Sequence, residues 1–177
     1  MGILLAFAPF ILFVAVEQTV GVLAGLITAA TVAAVLLARE LPLVFPMHPS
    51  PRSRMEPFGL AAGTGVHQLP PLTYMAFLNL WKDAAVILTD SGGIQEEATA
   101  LGKPMLVMRD VTERPEAIAS GNGLLVGAHQ DAIVAQASRL LADPQALAAM
   151  SLPSDAFGDG RASERIVEAL ARISHQE

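Results

Sequence analysis

The chain of 177 residues carries a net charge of −6 and no cysteine. That length suits one domain with a sizeable core. The acidic balance leaves no basic stripe for nucleic acid, and the lack of thiols excludes disulfides, thiolate metal sites and cysteine nucleophiles while fitting a reducing compartment.

Charge is unevenly placed. Among 11 Lys and Arg and 17 Asp and Glu, only Glu17 falls within residues 1 to 38. Two apolar runs, Gly2 to Val16 and Val20 to Ala38, flank Glu17-Gln18-Thr19. The second has 19 uncharged residues, close to the roughly 20 that a helix needs to cross a bilayer core. The first is shorter and broken by Pro9. One or two apolar helices are therefore expected over residues 1 to 39, as a candidate membrane anchor or hairpin. The small residues Gly21, Ala24, Gly25, Ala29 and Ala33 would suit close helix packing in lipid. No Lys or Arg precedes the first run, so a secretory signal is not expected. Arg39, Arg52 and Arg54 beyond it would keep the rest of the chain cytoplasmic, tethered to the inner membrane. The competing reading is a helix buried in the soluble domain.

Residues 40 to 177 have a different rhythm. Apolar runs with strand character start near Leu43, Val66, Val86, Met105 and Leu124, and the last three are spaced 19 residues apart. Helical spacing fills the intervals. Met75, Phe77, Leu78 and Trp81 recur between Thr73 and Asp83, and Gly92 to Leu101 is a short helix. Ile133, Val134, Ala137, Leu140 and Leu141 recur between Asp131 and Leu141. Lys103-Pro104, Gly121-Asn122-Gly123 and Asp143-Pro144 read as turns, and a last helix is expected over Ala162 to Ile173. Strands alternating with helices predict βαβ units and an α/β fold with a Rossmann-like parallel sheet. The strands are apolar throughout because helices cover both faces.

Ligands of such sheets bind beyond the carboxyl ends of the strands. At those positions stand His48, Pro70-Pro71, Ser91-Gly92-Gly93, then Arg109 with Arg114, then Gly127 with His129. The stretch "TDSGGIQEEATALGKP", residues 89 to 104, is the most distinctive. Asp90 or Ser91 can cap the following helix, and Gly92-Gly93 lets a ligand approach the backbone without a Cβ in the way. Orphan amides and the positive end of the helix dipole favour an anionic phosphate there. Glu96 and Glu97 also suit the dipole, so capping alone could explain them. Adjacent helical residues point about 100° apart, so at most one faces the pocket comfortably, and an inward Glu suits ribose hydroxyls better than phosphate. No His, Asp and Glu cluster has metal spacing, so no metal is expected, and no Gly-x-Ser-x-Gly nucleophile elbow is present; no cofactor is expected either.

The run "LTDSGGIQEEATALGKPMLVMRDVTERPEA", flanked by "LVFPMHPSP" and "FGDGRASERIVEAL", resembles the C-terminal lobe of the non-hydrolysing UDP-N-acetylglucosamine 2-epimerases over about residues 41 to 172. The resemblance implies a single lobe of a glycosyltransferase-B-type fold, with a UDP-sugar in the cleft between it and a second lobe. It implies isomerase chemistry serving cell-envelope polysaccharide. A base removes the C2 proton of the sugar, UDP leaves by elimination, and re-protonation on the other face interconverts UDP-N-acetylglucosamine and UDP-N-acetylmannosamine. It also implies a site. Ser91, Gly92 and Gly93 look like diphosphate contacts, and Glu97 looks like the ribose ligand. Arg114 in "TERPE" looks like an arginine holding the nucleotide, Phe77 like the aromatic near uracil, and His48 in "FPMHPSP" like the active-site histidine. Each has a plainer alternative: Phe77 in the core, Arg114 paired with Glu113 or Glu116 ahead of Pro115, His48 as a loop residue. His67, His129 and His175 are given no role.

The same resemblance implies that part of the site lies outside this lobe. The family takes its catalytic carboxylates from the N-terminal lobe. Residues 1 to 38 stand where the first strand and helix of the C-terminal lobe would be, as an unrelated apolar segment. His48-Pro49-Ser50-Pro51 replaces the family's usual His-x-Asn-Pro, and Leu72 stands where a polar residue often precedes the aromatic helix. The expectation is a UDP-binding half that does not turn over alone, with a missing N-terminal lobe or a second copy as its partner. The alternatives are a membrane-tethered UDP-sugar binding module and a nonfunctional fusion or truncation.

Overall fold

The computed structural model describes residues 10–15, 43–46 and 66–174. Among them six strands form one sheet: β1 (Phe10–Ala15), β2 (Leu43–Pro46), β3 (Val66–Leu69), β4 (Ala84–Thr89), β5 (Met105–Val107) and β6 (Gly123–Leu125). Their spatial order is β3-β2-β1-β4-β5-β6, and every neighbouring pair is parallel. The helices are α1 (Tyr74–Asp83), α2 (Gly92–Ala100), α3 (Pro115–Ala119), α4 (Gln130–Ala142), α5 (Pro144–Ala149) and α6 (Ala162–Ser174). The order reverses between β1 and β4, the switch point at which doubly wound sheets hold their ligands.

β1 corrects the expectation of apolar helices at the start of the chain. Phe10–Ala15 is a strand, paired with β2 through Leu12–Leu43 and Phe13–Val44 and with β4 from Phe10–Ala84 to Ala15–Thr89. The lobe therefore has an inner first strand. The physical reason is that a strand covered on both faces is as continuously apolar as a membrane helix, and "FILFVA" is made of residues that pack well in a sheet. Val20 to Ala38 lies outside the described residues. Among the described residues no helix is long and apolar enough to cross a membrane.

Alternation along the strands sends side chains to two cores. Leu43, Val86, Leu88, Leu106, Met108 and Val126 face Ile133, Ala137 and Leu140 of α4 and Met150. Ile87, Met105 and Val107 point the other way, onto Trp81 of α1, Ile94 and Ala98 of α2 and Ala117 of α3. Burying a side chain of the Leu, Ile or Met class stabilises by about 1.5–3 kcal/mol, so these two layers hold the sheet flat against its helices.

Helix ends follow local chemistry. Asp143 accepts from the amides of Gln145 at 2.9 Å and Ala146 at 3.1 Å, with Pro144 in the first turn. The dipeptide expected to be only a turn thus also starts α5. At the end of α2, Lys103 N donates to Ala98 O at 2.8 Å and Gly102 N to Thr99 O at 3.1 Å. Gly102 sits at φ +65°, the left-handed residue that such a pair of bonds requires. α6 is exposed along its length, with Ile166, Val167, Leu170 and Ile173 all in solvent.

Candidate functional site

The site is built where β4 gives way to α2. Thr89 ends the strand fully buried, and its Oγ1 accepts the amide of Ser91 at 3.0 Å. Ser91 is then the N-cap of α2, in extended conformation, and its side chain makes no capping hydrogen bond. Helix geometry leaves the first amides, Gly92, Gly93 and Ile94, without intrahelical acceptors, whereas Gln95 N already reaches Ser91 O at 3.3 Å. The two glycines differ. A Cβ at Gly92 would stand 2.7 Å from Glu113 Oε1 and 3.9 Å from Arg114 Cζ, whereas a Cβ at Gly93 would meet nothing within 4 Å. A side chain at Gly92 would have to push the Glu113 carboxylate aside, whereas Gly93 leaves the helix end open.

That loop, residues 109–114, leaves the end of β5 and folds over α2. Met108 N donates to Thr89 O at 2.8 Å. Arg109 Nη1 pairs with Glu113, and Arg109 Nε is enclosed without a hydrogen-bond partner among the described residues. Arg114 is the N-cap of α3 and pairs through Nε with Glu96. The local partner expected for Arg114 was Glu113 or Glu116. Its actual partner lies on another element, because α2 and the loop are brought together only by the fold. The hydrogen bond to Glu96, and then the charges of Glu96, Glu113 and Glu116, raise the Arg114 pKa, so it stays a cation. The carboxylates Glu96 and Glu113 are each matched by an arginine, which removes much of their repulsion for an incoming anion.

Glu97 turns away from Glu96, as adjacent helical residues must. One of its carboxylate oxygens, Oε2, is buried without a hydrogen-bond partner among the described residues. The hydroxyl of Tyr74, in the first turn of α1, is the neighbour: partial desolvation, then the charge and hydrogen-bond acceptance of Glu97, raise its pKa. Phe77, one turn further along α1, is half-buried and lies tilted against Trp81, with ring centroids 4.5 Å apart at 57°. It packs beside the core and is not fully enclosed.

The structure thus brings Ser91, Gly92, Gly93 and Arg114 to one end of α2, with Glu97 on the same helix facing the start of α1. His48 lies outside the described residues. His67 is exposed on β3, and His129 is exposed, 3.6 Å from Asp110. Among the described residues no group of three His, Asp or Glu could hold a metal. Sequence reasoning passed over Thr89, Gln95 and Thr112. Gln95 is fully buried. Its Nε2 donates to Ser91 O at 3.2 Å, and its Oε1 accepts from Thr112 Oγ1 at 2.6 Å. The one available signal was an uncharged polar residue a turn inside a helix, just ahead of two carboxylates.

The family model described as UDP-N-acetylglucosamine 2-epimerase matches residues 23–171. A probable UDP-N-acetylglucosamine 2-epimerase of Ralstonia solanacearum is 50% identical over 133 residues, covering 74% of this chain and 35% of that protein. The UDP-N-acetylglucosamine 2-epimerase of Escherichia coli K12 is 47% identical over 134 residues, covering 75% and 35%. Among solved structures, UDP-GlcNAc 2-epimerase from Neisseria meningitidis bound to UDP-GlcNAc superposes with a TM-score of 0.79 at 34% identity, covering 92% of this chain and 45% of that one. The MnaA–UDP structure from S. aureus gives 0.77 at 35% identity, covering 94% and 46%. The chain spans about a third of the length of these curated relatives and under half of the solved ones.

Proposed function

The chain belongs to the UDP-N-acetylglucosamine 2-epimerase family, and on that footing we propose that it binds the UDP moiety of a nucleotide sugar at the N-terminus of α2. The observation that carries this reading is the open amide end of α2 at the β1/β4 switch point, with the Arg114 guanidinium beside it. The amides of Gly92 and Gly93 and the Ser91 hydroxyl would grip the diphosphate. Arg114 would add a fixed cation and a planar donor set. Glu97, with an oxygen still unpartnered among the described residues, would accept the ribose hydroxyls. Phe77 would stand against the uracil, and His48 near the phosphates.

This is half of an epimerase site. UDP-GlcNAc and UDP are what the N. meningitidis and S. aureus structures hold, and the interconversion of UDP-N-acetylglucosamine and UDP-N-acetylmannosamine is the activity we propose this lobe serves. The acid and base at C2 of the sugar are assigned to the part of the relatives that this chain does not match, so the complementary lobe is the partner in this reading. A nucleotide-sugar substrate and the absence of cysteine suit a cytoplasmic place of action. We do not propose a membrane tether. Phe10–Ala15, just before the run Val20 to Ala38, is an inner strand of the sheet, and the family match starts at residue 23, inside that run.

Titration calorimetry of the 177-residue chain with UDP tests the reading. Binding is expected that weakens as salt rises, since a multiply charged anion meets a cation and a helix dipole. No heat at millimolar UDP would overturn it.

A further inference from the structure

We infer that Gln95 is a positioning residue that sets the spacing between the two arms of the proposed phosphate site, an inference that rests on the nucleotide reading above. The arms have different origins. One is the Ser91–Gly93 turn at the end of β4, and the other is the loop carrying Arg114 from the end of β5. Val111 in that loop is 79% exposed, so little apolar packing holds the loop against α2.

A one-way chain of hydrogen bonds crosses the gap. The Arg114 amide donates to Thr112 Oγ1 at 3.0 Å, the Thr112 hydroxyl donates to Gln95 Oε1 at 2.6 Å, and Gln95 Nε2 donates to Ser91 O at 3.2 Å. Each bond polarises the next in the same sense. A carboxamide suits the middle of the chain: its NH2 gives Ser91 O a second donor beside the Gln95 amide at 3.3 Å, and its oxygen accepts from the Thr112 hydroxyl. An ionised Glu offers only acceptors and a Met offers neither group. Ser91 is held from both sides, its amide by Thr89 Oγ1 and its carbonyl by Gln95. That fixes where the amides of Gly92 and Gly93 point relative to the guanidinium of Arg114.

The test uses the full 177-residue chain with Gln95→Met, Thr112→Val and Thr112→Ser, probed with UDP and with uridine by calorimetry. The exchange rate of the Arg114 amide is measured by NMR without ligand. Gln95→Met is expected to speed Arg114 exchange and to weaken UDP about tenfold, the scale of one or two lost hydrogen bonds, while uridine changes less than about twofold. Thr112→Val should weaken UDP similarly, the double variant no further than Gln95→Met because one chain is broken twice, and Thr112→Ser should restore affinity. Unchanged Arg114 exchange in Gln95→Met overturns the inference. Equal losses for UDP and uridine together with a lower melting temperature also overturn it, because they would mark an ordinary core residue. If the unaltered chain binds no UDP but Gln95→Met still frees the Arg114 amide, the nucleotide reading falls and the brace stands.

Discussion

Gly93→Ala separates the site from the scaffold, because it should move stability and binding in opposite directions. Gly93 lies in the first turn of α2, and a Cβ there would meet nothing within 4 Å. Alanine in place of a helical glycine gains about 0.5–1 kcal/mol, largely by restricting the unfolded chain. In a chain of this size about 1 kcal/mol corresponds to about 2–4 °C, so the variant should melt about 1–4 °C higher. The same methyl group would occupy the open space in front of the helix amides. Losing one charge-assisted hydrogen bond to phosphate costs about 1.5–3 kcal/mol, or about 10- to 100-fold in Kd. Thermal melts with and without UDP measure both effects. At a UDP concentration of about 100 times the original Kd, the unaltered chain gains about 2.7 kcal/mol, and a variant binding tenfold more weakly gains about 1.4 kcal/mol. A higher melting temperature with an undiminished gain from UDP would refute the placement of phosphate over Gly93. A lower melting temperature would refute the steric reading itself.

Three further outcomes follow from the same structure. Glu97→Ala should weaken UDP about tenfold and leave inorganic pyrophosphate unaffected; equal loss for both ligands would remove Glu97 from the ribose. Asn122 is 1% exposed and donates to Met150 O at 2.8 Å and Leu152 O at 2.9 Å. Asn122→Ala should therefore cost about 2–3 kcal/mol and lower the melting temperature by about 5–10 °C, and a shift under about 1 °C would contradict this. The Asp159 carboxylate lies below its ordinary pKa, chiefly through its hydrogen bond to Arg165 and then that from the Arg161 amide. A depressed folded pKa gives stability that is present above the unfolded value of about 3.9 and lost as pH falls through the lower folded value. The protection factors of amides at the start of α6, that is, exchange corrected for the intrinsic rate at each pH, should thus fall on acidification through that window, and Asp159→Asn should abolish that fall. Protection factors that stay constant through that window in the unaltered chain would sink the reading.

Much of this lobe could be read from local pattern. The runs at Leu43, Val66, Val86, Met105 and Leu124 all became strands, because an unbroken apolar run bounded by turns has few other uses in an α/β sheet. α1, α2, α4 and α6 followed from their spacing. So did the placement of Ser91, Gly92 and Gly93, since a glycine turn between a buried strand and a helix states its geometry in the chain itself. α5 was hidden because Asp143-Pro144 serves a turn and a helix cap equally well.

What the amino-acid order alone determined is therefore the alternation of elements and the chemistry at the start of α2, both of which depend on neighbours within a few residues. Tertiary structure decided the rest. Hydropathy describes Phe10–Ala15 equally as membrane helix or buried strand, and only pairing with β2 and β4 chose the strand. Arg114 has acidic neighbours at 113 and 116 yet pairs with Glu96, 18 residues away, and Gln95 finds Thr112 across 17. Those partnerships depend on two strands lying side by side in parallel, which brings their following loops together and which no short-range preference encodes.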